Sequence, residues 1–155
     1  TGNLSHTLFQ PDDLPERLES GTVNVPGIAG LSAGIDFVKK TGLISIGRHE
    51  KRLSTLLYNG LSGNKSITLY GENPSTADTA PVISFNVGDI PSERVSAELS
   101  ARGIAVRAGL HCAPFAHEAL GTLKTGTVRV GFSVFNTPEE VKFLIKNIEN
   151  IQKNS

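Results

Sequence analysis

The chain has 155 residues, with 15 basic and 15 acidic side chains, 38% hydrophobic residues and 19% charged residues. This balance is typical of a single globular domain with a hydrophobic core, and it excludes an intrinsically disordered chain. Lysine and arginine are not in excess, so no nucleic-acid partner is expected. No apolar stretch reaches the roughly 20 residues that a membrane-spanning helix needs, so no membrane partner is expected.

Cys112 is the one cysteine of the sequence, which also has no methionine, not even at position 1. A single cysteine cannot form an internal disulfide, which favours a reducing compartment such as the cytoplasm. The missing initiator methionine and the abrupt polar beginning lead us to expect a fragment of a longer protein. His6, His49 and His117 share no metal-ligand spacing, so no metal site is expected.

Residues 1–26 are predicted to be irregular, because prolines and glycines interrupt any regular period and charged side chains are interleaved. An irregular segment of this length is uncommon in a compact domain, and it is usually functional or held by a partner. We therefore expect residues 1–26 to pack on another domain or on a second subunit, and residues 27–155 to form a small domain.

The small domain is predicted to begin with two helices and to continue with short strands. Apolar residues at helical spacing indicate a helix from Ile28 to Val38, which Gly42 can terminate, and a second helix around residues 53–61. Alternation of apolar and polar residues, or short apolar runs, predict strands at residues 67–70, 82–87, 104–106 and 127–135.

Two further helices complete the prediction. One covers residues 92–102, with Ser92 as its N-cap and Gly103 as the left-handed residue beyond its end. The other follows residues 137–140, Thr-Pro-Glu-Glu, which combine a capping box with proline at the first helical position. The order of elements predicts an α+β fold, a small and mostly antiparallel sheet with helices packed on one face.

Cys112 follows a loop sequence, Arg107-Ala108-Gly109-Leu110-His111, and Ala113-Pro114 come after it. The reactive form of cysteine is the thiolate, which a nearby positive charge favours, and both Arg107 and His111 could supply such a charge. A lone cysteine is also commonly buried and inert, so this alternative stays open.

Two further motifs are typical of anion binding. Arg129 lies on the strand face that carries Gly131, and its planar fork suits a carboxylate. A solvated arginine on an open sheet face is the alternative. Gly21 and Thr22, within residues 17–24, offer a free amide and a hydroxyl that suit a phosphate, but an ordinary turn also accounts for so short a motif.

Four segments in this order, residues 17–24, 27–31, 104–114 and 126–141, resemble the class V aminotransferase family, and within it the cysteine desulfurases and selenocysteine lyases. The resemblance implies the C-terminal domain of a fold-type I pyridoxal-phosphate enzyme. Cys112 matches the cysteine that attacks the substrate sulfur and becomes a persulfide. The resemblance further implies that the substrate is bound by Arg129, Arg107 and His111, and the cofactor phosphate by Gly21, Thr22 and Asn24.

The same resemblance implies that the lysine that binds pyridoxal phosphate lies on a larger N-terminal domain, since no lysine here has a similar context. We therefore predict that the isolated chain does not catalyse desulfuration. The full-length enzyme is expected to be a homodimer that acts on an amino acid, with cysteine as the expected substrate and a sulfur-acceptor protein as a further partner. Another class V reaction (transamination, a lyase or an epimerase reaction) and a non-enzymatic interaction domain remain as alternatives.

Overall fold

The structure is a computed structural model that describes residues 6, 8, 9, 11–19 and 21–153. The chain divides into two compact units, Thr1–Leu43 and Ile44–Ser155. In chain order the elements are α1 Val25–Thr41, α2 Leu43–Ser62, β1 Ile67–Tyr70, β2 Val82–Val87, α3 Ser92–Ser100, α4 Pro114–Ala119, β3 Val128–Gly131 and α5 Pro138–Lys153. Across the described residues, no helix has the length and apolar content to cross a membrane.

The N-terminal unit consists of a turn-rich segment followed by helix α1. Asn24 caps this helix, since its Oδ1 accepts a hydrogen bond of 3.0 Å from the N–H of Gly27. Gly42 ends it in a left-handed conformation, with φ of 86° and its N–H bonded to the carbonyl of Val38, which confirms the predicted terminator. No residue of α1 is buried, and most of its large apolar side chains, among them Ile28, Leu31 and Ile35, are exposed.

Residues 1–26 were predicted to pack on a partner as one irregular segment, and this stays a prediction. Helix α1 already begins at Val25, and the compact units divide after Leu43 rather than after residue 26. Parts of the segment, residues 1–5, 7, 10 and 20, lie outside the described residues.

The C-terminal unit is built on an antiparallel sheet in the order β1-β2-β3. Ile67 pairs with Val87, and Phe85 pairs with Val128, so buried apolar side chains lie opposite one another. Because successive side chains of a strand point to opposite faces, these residues share one face. The other face carries polar residues, among them Arg129.

Three helices cover the apolar face of the sheet and complete one hydrophobic core. They contribute the buried residues Leu53, Leu57 and Leu61 of α2, Val95 and Leu99 of α3, and Val141, Leu144, Ile148 and Ile151 of α5. The α+β fold with helices packed on one face of a small antiparallel sheet is therefore confirmed. Burial of these side chains is the main favourable contribution to folding of this unit.

The third predicted strand, residues 104–106, is wrong. This segment joins the sheet only through one antiparallel bridge between Arg107 and Arg129, and the N–H of Ile104 bonds to the carbonyl of Leu99 at the end of α3. The strand predicted at 127–135 is shortened to Val128–Gly131, because residues 133–136 form a turn that Asn136 closes.

The helix ends follow the sequence signals with one exception. At α5, Thr137 and Glu140 form the predicted capping box through bonds of 2.9 Å and 3.3 Å. The N–H of Thr137 holds the pKa of Glu140 below its usual value. Gly103 has the expected positive φ of 77°. Ser92 is not an N-cap, because Pro91 occupies that position and the serine hydroxyl instead accepts a bond from another loop.

Candidate functional site

Cys112 lies on an exposed loop between the Arg107 bridge and helix α4. Its exposure excludes burial of the thiol in the core of this chain. The backbone is left-handed at both His111, with φ of 51°, and Cys112, with φ of 59°. Such conformations are strained for residues other than glycine, and they are concentrated at functional sites. The thiol is therefore accessible and is carried by a backbone that its surroundings hold in place.

The loop that carries Cys112 is anchored to the segment that leads into β3. The N–H of Thr127 donates to the carbonyl of Gly109 at 3.2 Å, and the carbonyl of Thr127 accepts from Nε2 of His111 at 3.0 Å. The N–H of Gly109 also donates to Oγ of Ser92 at 3.2 Å. Gly109 and His111, three residues and one residue before the thiol, are therefore both held by Thr127.

His111 is a neutral side chain next to the thiol. A carbonyl oxygen only accepts, so Nε2 carries the proton, and Nδ1 is buried with no partner in the described part of the chain. Burial lowers the pKa of His111, and Arg129, His117 and Arg107 add to this effect against the opposing effect of the Thr127 bond. The lowered pKa disfavours the positive charge that His111 could supply beside Cys112.

His117 was not assigned to any predicted site, and it helps to support the loop that carries Cys112. It is buried, and its Nδ1 lies 2.7 Å from Oγ1 of Thr122. Its ring centroid is 5.9 Å from that of His111. Where side chains are described, no group of three metal-binding residues occurs.

Arg107 and Arg129 form a pair of cations on the polar side of the sheet. They lie directly opposite each other and exchange backbone hydrogen bonds of 3.1 Å and 2.7 Å. Residues paired in this way project their side chains to the same face, where two like charges repel. No carboxylate in the described ranges forms a salt bridge with either arginine, since the ion pairs seen there join Glu98 to Arg94 and Arg102. An anionic ligand would relieve this repulsion.

Gly21, Thr22 and Asn24 lie in the N-terminal unit and are all exposed. Gly21 has a φ of 86°, and there is open space where a Cβ would be. The Oδ1 atom of Asn24 is used by the helix cap, so only its Nδ2 is left to donate to a phosphate. The N–H and hydroxyl groups of these exposed residues fit a phosphate group.

All eight lysines are exposed, and Lys51 donates its Nζ to the carbonyl of Ala77. The chain thus has candidate groups for the phosphate and for the substrate carboxylate.

Some of the residues that shape the site were not predicted from sequence. Thr127 and Ser92 anchor the cysteine loop, and Asn86 donates to the carbonyl of Gly126 beside it. Asn86 gave no signal in the sequence, because a polar residue between Phe85 and Val87 fits the ordinary alternation of a strand.

The chain belongs to the class V aminotransferase family, since the family model described as Aminotransferase class-V matches residues 3–144. Within the family, it is similar to cysteine desulfurases. It is 36% identical over 141 residues to a probable cysteine desulfurase of Halalkalibacterium halodurans, and 36% identical over 142 residues to a cysteine desulfurase of Yersinia pestis. Both matches cover 91% of this chain and 33% of the relative.

Solved structures agree with the sequence relatives. An apo cysteine desulfurase from Thermococcus onnurineus NA1 superposes with a TM-score of 0.81 at 38% identity, covering 91% of this chain and 34% of that one. The cysteine desulfurase CsdA from Escherichia coli gives 0.78 at 27% identity, covering 90% and 33%. The family and fold expected from the motifs are confirmed. The chain spans about one third of the length of these relatives.

Proposed function

We propose that this chain is the C-terminal part of a pyridoxal-phosphate-dependent cysteine desulfurase, in which Cys112 accepts the sulfur of cysteine. The observation that carries the proposal is the exposed thiol on a strained loop, anchored through Thr127 beside the strand that presents Arg129. The similarity to cysteine desulfurases supports the same function.

In this proposal the thiolate of Cys112 attacks the sulfur of the bound amino acid. A sulfur–sulfur bond forms while the carbon–sulfur bond of the substrate breaks, and Cys112 becomes a persulfide that a sulfur-acceptor protein can discharge. Pyridoxal phosphate, when bound, supplies the electron sink for this chemistry. A single cysteine with no disulfide partner in the chain fits a reducing compartment, which makes the cytoplasm the proposed location.

Arg129 and Arg107 are proposed to bind the substrate carboxylate. The guanidinium fork makes two parallel hydrogen bonds to a carboxylate, and the negative charge offsets the repulsion between the two cations. His111 was predicted to bind substrate with them. Its bond to the Thr127 carbonyl favours a supporting role, in which it holds the loop while its neighbours contact the ligand.

Gly21, Thr22 and the Nδ2 of Asn24 are proposed to contact the cofactor phosphate. In the family this contact crosses a dimer interface, so we also propose a homodimer for the full-length enzyme. The lysine that holds the cofactor is proposed to lie on the larger N-terminal domain. It follows that the 155 residues alone are inactive, and a purified chain that released alanine from cysteine would overturn this part.

The proposal is tested with Cys112→Ala in the full-length enzyme. Sulfur release from cysteine should fall by roughly a thousandfold or more, since removal of a nucleophile typically has an effect of this size. The absorbance of the bound cofactor should be unchanged, because Cys112 is not among the phosphate-binding residues. If the variant transferred sulfur at the rate of the wild-type enzyme, Cys112 would not be the sulfur-accepting nucleophile.

A second reaction type is supported by one specific observation. The arginine pair and the phosphate-binding residues would serve any class V reaction on an amino acid, and none of them requires a thiol. Transamination, racemisation or another elimination would each give a different product from cysteine. Identification of that product separates them, since only desulfuration yields alanine together with a persulfide.

A further inference from the structure

Asn86 is a buried polar residue of strand β2. Its side chain is 5% exposed, and its Nδ2 donates a hydrogen bond of 3.0 Å to the carbonyl of Gly126, which is 40 residues away in sequence. Its Oδ1 is buried and has no partner within the described chain. Asn86 lies on the face of the sheet opposite the one that packs Phe85 and Val87 into the hydrophobic core, and an unpaired buried acceptor there lowers stability. The hydrogen bond to Gly126 therefore calls for a reason other than core stability.

The carbonyl of Gly126 and the N–H of Thr127 belong to one planar peptide group, in which they point in opposite directions. The carbonyl accepts from Asn86, and the N–H donates to the carbonyl of Gly109 at 3.2 Å. Rotation of this peptide would break both bonds together. Asn86 thus sets the orientation of the group that holds Gly109.

The contact around this peptide is too tight for the loops to move independently. Gly126 is left-handed, and a Cβ at its position would lie 2.7 Å from the Cα of Gly109 and 2.6 Å from Oγ of Ser92. The carbonyl of Thr127, in the next peptide, accepts the bond from His111. One short segment therefore holds the cysteine loop at two points.

We propose that Asn86 is a positioning residue for Cys112, acting through the Gly126–Thr127 peptide on the loop that carries the thiol. This rests on the proposed function only in giving Cys112 the role of nucleophile. Asn86 itself does not touch the substrate.

The test uses Asn86→Ala and Asn86→Asp in the 155-residue chain. Alanine removes the donor together with the side chain, and aspartate replaces the amide NH2 by an oxygen while it keeps the shape of the side chain. Because Cys112 is the one cysteine, a nitroxide label attaches there alone and its mobility is read by electron paramagnetic resonance. We expect a more mobile label, and about tenfold faster amide exchange at Thr127, with the amides of β1 paired to β2 unchanged.

Asn147 offers a matched control, because it is 7% exposed and donates Nδ2 to the carbonyl of Phe143 at 2.8 Å within α5. Asn147→Ala should lower stability without changing the label or the exchange of Thr127. The proposal is overturned if the Asn86 variants leave both readouts unchanged, if they raise exchange equally over all three strands, or if Asn147→Ala has the same local effect. Because neither readout needs the cofactor, a negative result here can be distinguished from a negative result in the desulfuration test.

Discussion

The His111 ring is bonded at one nitrogen and buried without a partner at the other. Protonation would place a second N–H where no acceptor has been found among the described residues, in the field of Arg107 and Arg129. The neutral ring is therefore favoured in the folded chain. His111 therefore supports the loop through its hydrogen bond to Thr127. Its residue type alone had suggested that it is a cation next to the thiol.

This state of His111 predicts a pH dependence of stability. Its pKa is lower in the folded chain than in the unfolded chain, so the unfolded state binds more protons as the pH falls through about 6.5. The contribution is fully present above the unfolded pKa and is lost as the pH falls towards the folded pKa. From about pH 7 to about pH 5, the free energy of unfolding should fall more steeply for the wild type than for His111→Gln. Urea titrations at both pH values measure this, and equal slopes would contradict it.

At the scale of elements, the position of Cys112 depends on two loops that contact each other at Gly109 and Gly126. The 107–112 loop carries the thiol, and the segment before β3 holds it through Gly126, whose missing side chain permits the close approach. Both loops join helix α4 to the edge of the sheet that presents the arginine pair. Packing of the loops and placement of the cations thus depend on the same few contacts.

Substitution of two left-handed glycines can distinguish the effect of backbone strain on stability from the effect of this close packing. At Gly121, with φ of 70°, a Cβ has open space, while at Gly126 it would overlap the backbone of Gly109. Gly121→Ala should lower the free energy of unfolding by about 1 kcal/mol, from strain alone. Gly126→Ala should lower it by about 3 kcal/mol or more, because overpacking adds to the strain. Urea denaturation of the two variants checks the order, and equal losses would show that the loops are not tightly packed.

The sequence predicted these elements well where the signals are local. The capping box at Thr137, the terminators Gly42 and Gly103 and the apolar spacing of the helices all act within a few residues, and the structure bears them out. The supposed strand at 104–106 failed because strand pairing is decided by distant partners. Only Arg107 finds one, in β3.

The candidate site was predictable in its residues but not in its geometry. Cys112, Arg107 and Arg129 were singled out by motif. The left-handed backbone at Cys112 could not be predicted, because cysteine rarely adopts this conformation and nothing in the sequence marks it. Asn24 was predicted to bind phosphate, and its Oδ1 serves as a helix cap. An asparagine side chain has two polar atoms, so it can cap a helix with one and contact a phosphate with the other. Local sequence does not indicate which atom makes which contact.

At the scale of the whole molecule, the chain spans about one third of the length of its relatives. The exposed apolar residues of α1, among them Ile28 and Leu31, are typical of a surface that contacts another part of a protein. This agrees with the proposal that the lysine-bearing domain completes the enzyme. In the proposed enzyme, the chain would contribute the thiol and the carboxylate-binding groups, and the larger domain would contribute the attachment point of the cofactor.

The role of Cys112 as sulfur carrier is decided by mass spectrometry of its peptide after the full-length enzyme has reacted with cysteine in the absence of a sulfur acceptor. We expect the Cys112 peptide to gain the mass of one sulfur atom and to lose it on treatment with a thiol reductant. The matching peptide of Cys112→Ala should gain nothing. Release of alanine and sulfide with an unmodified Cys112 thiol would contradict the assignment.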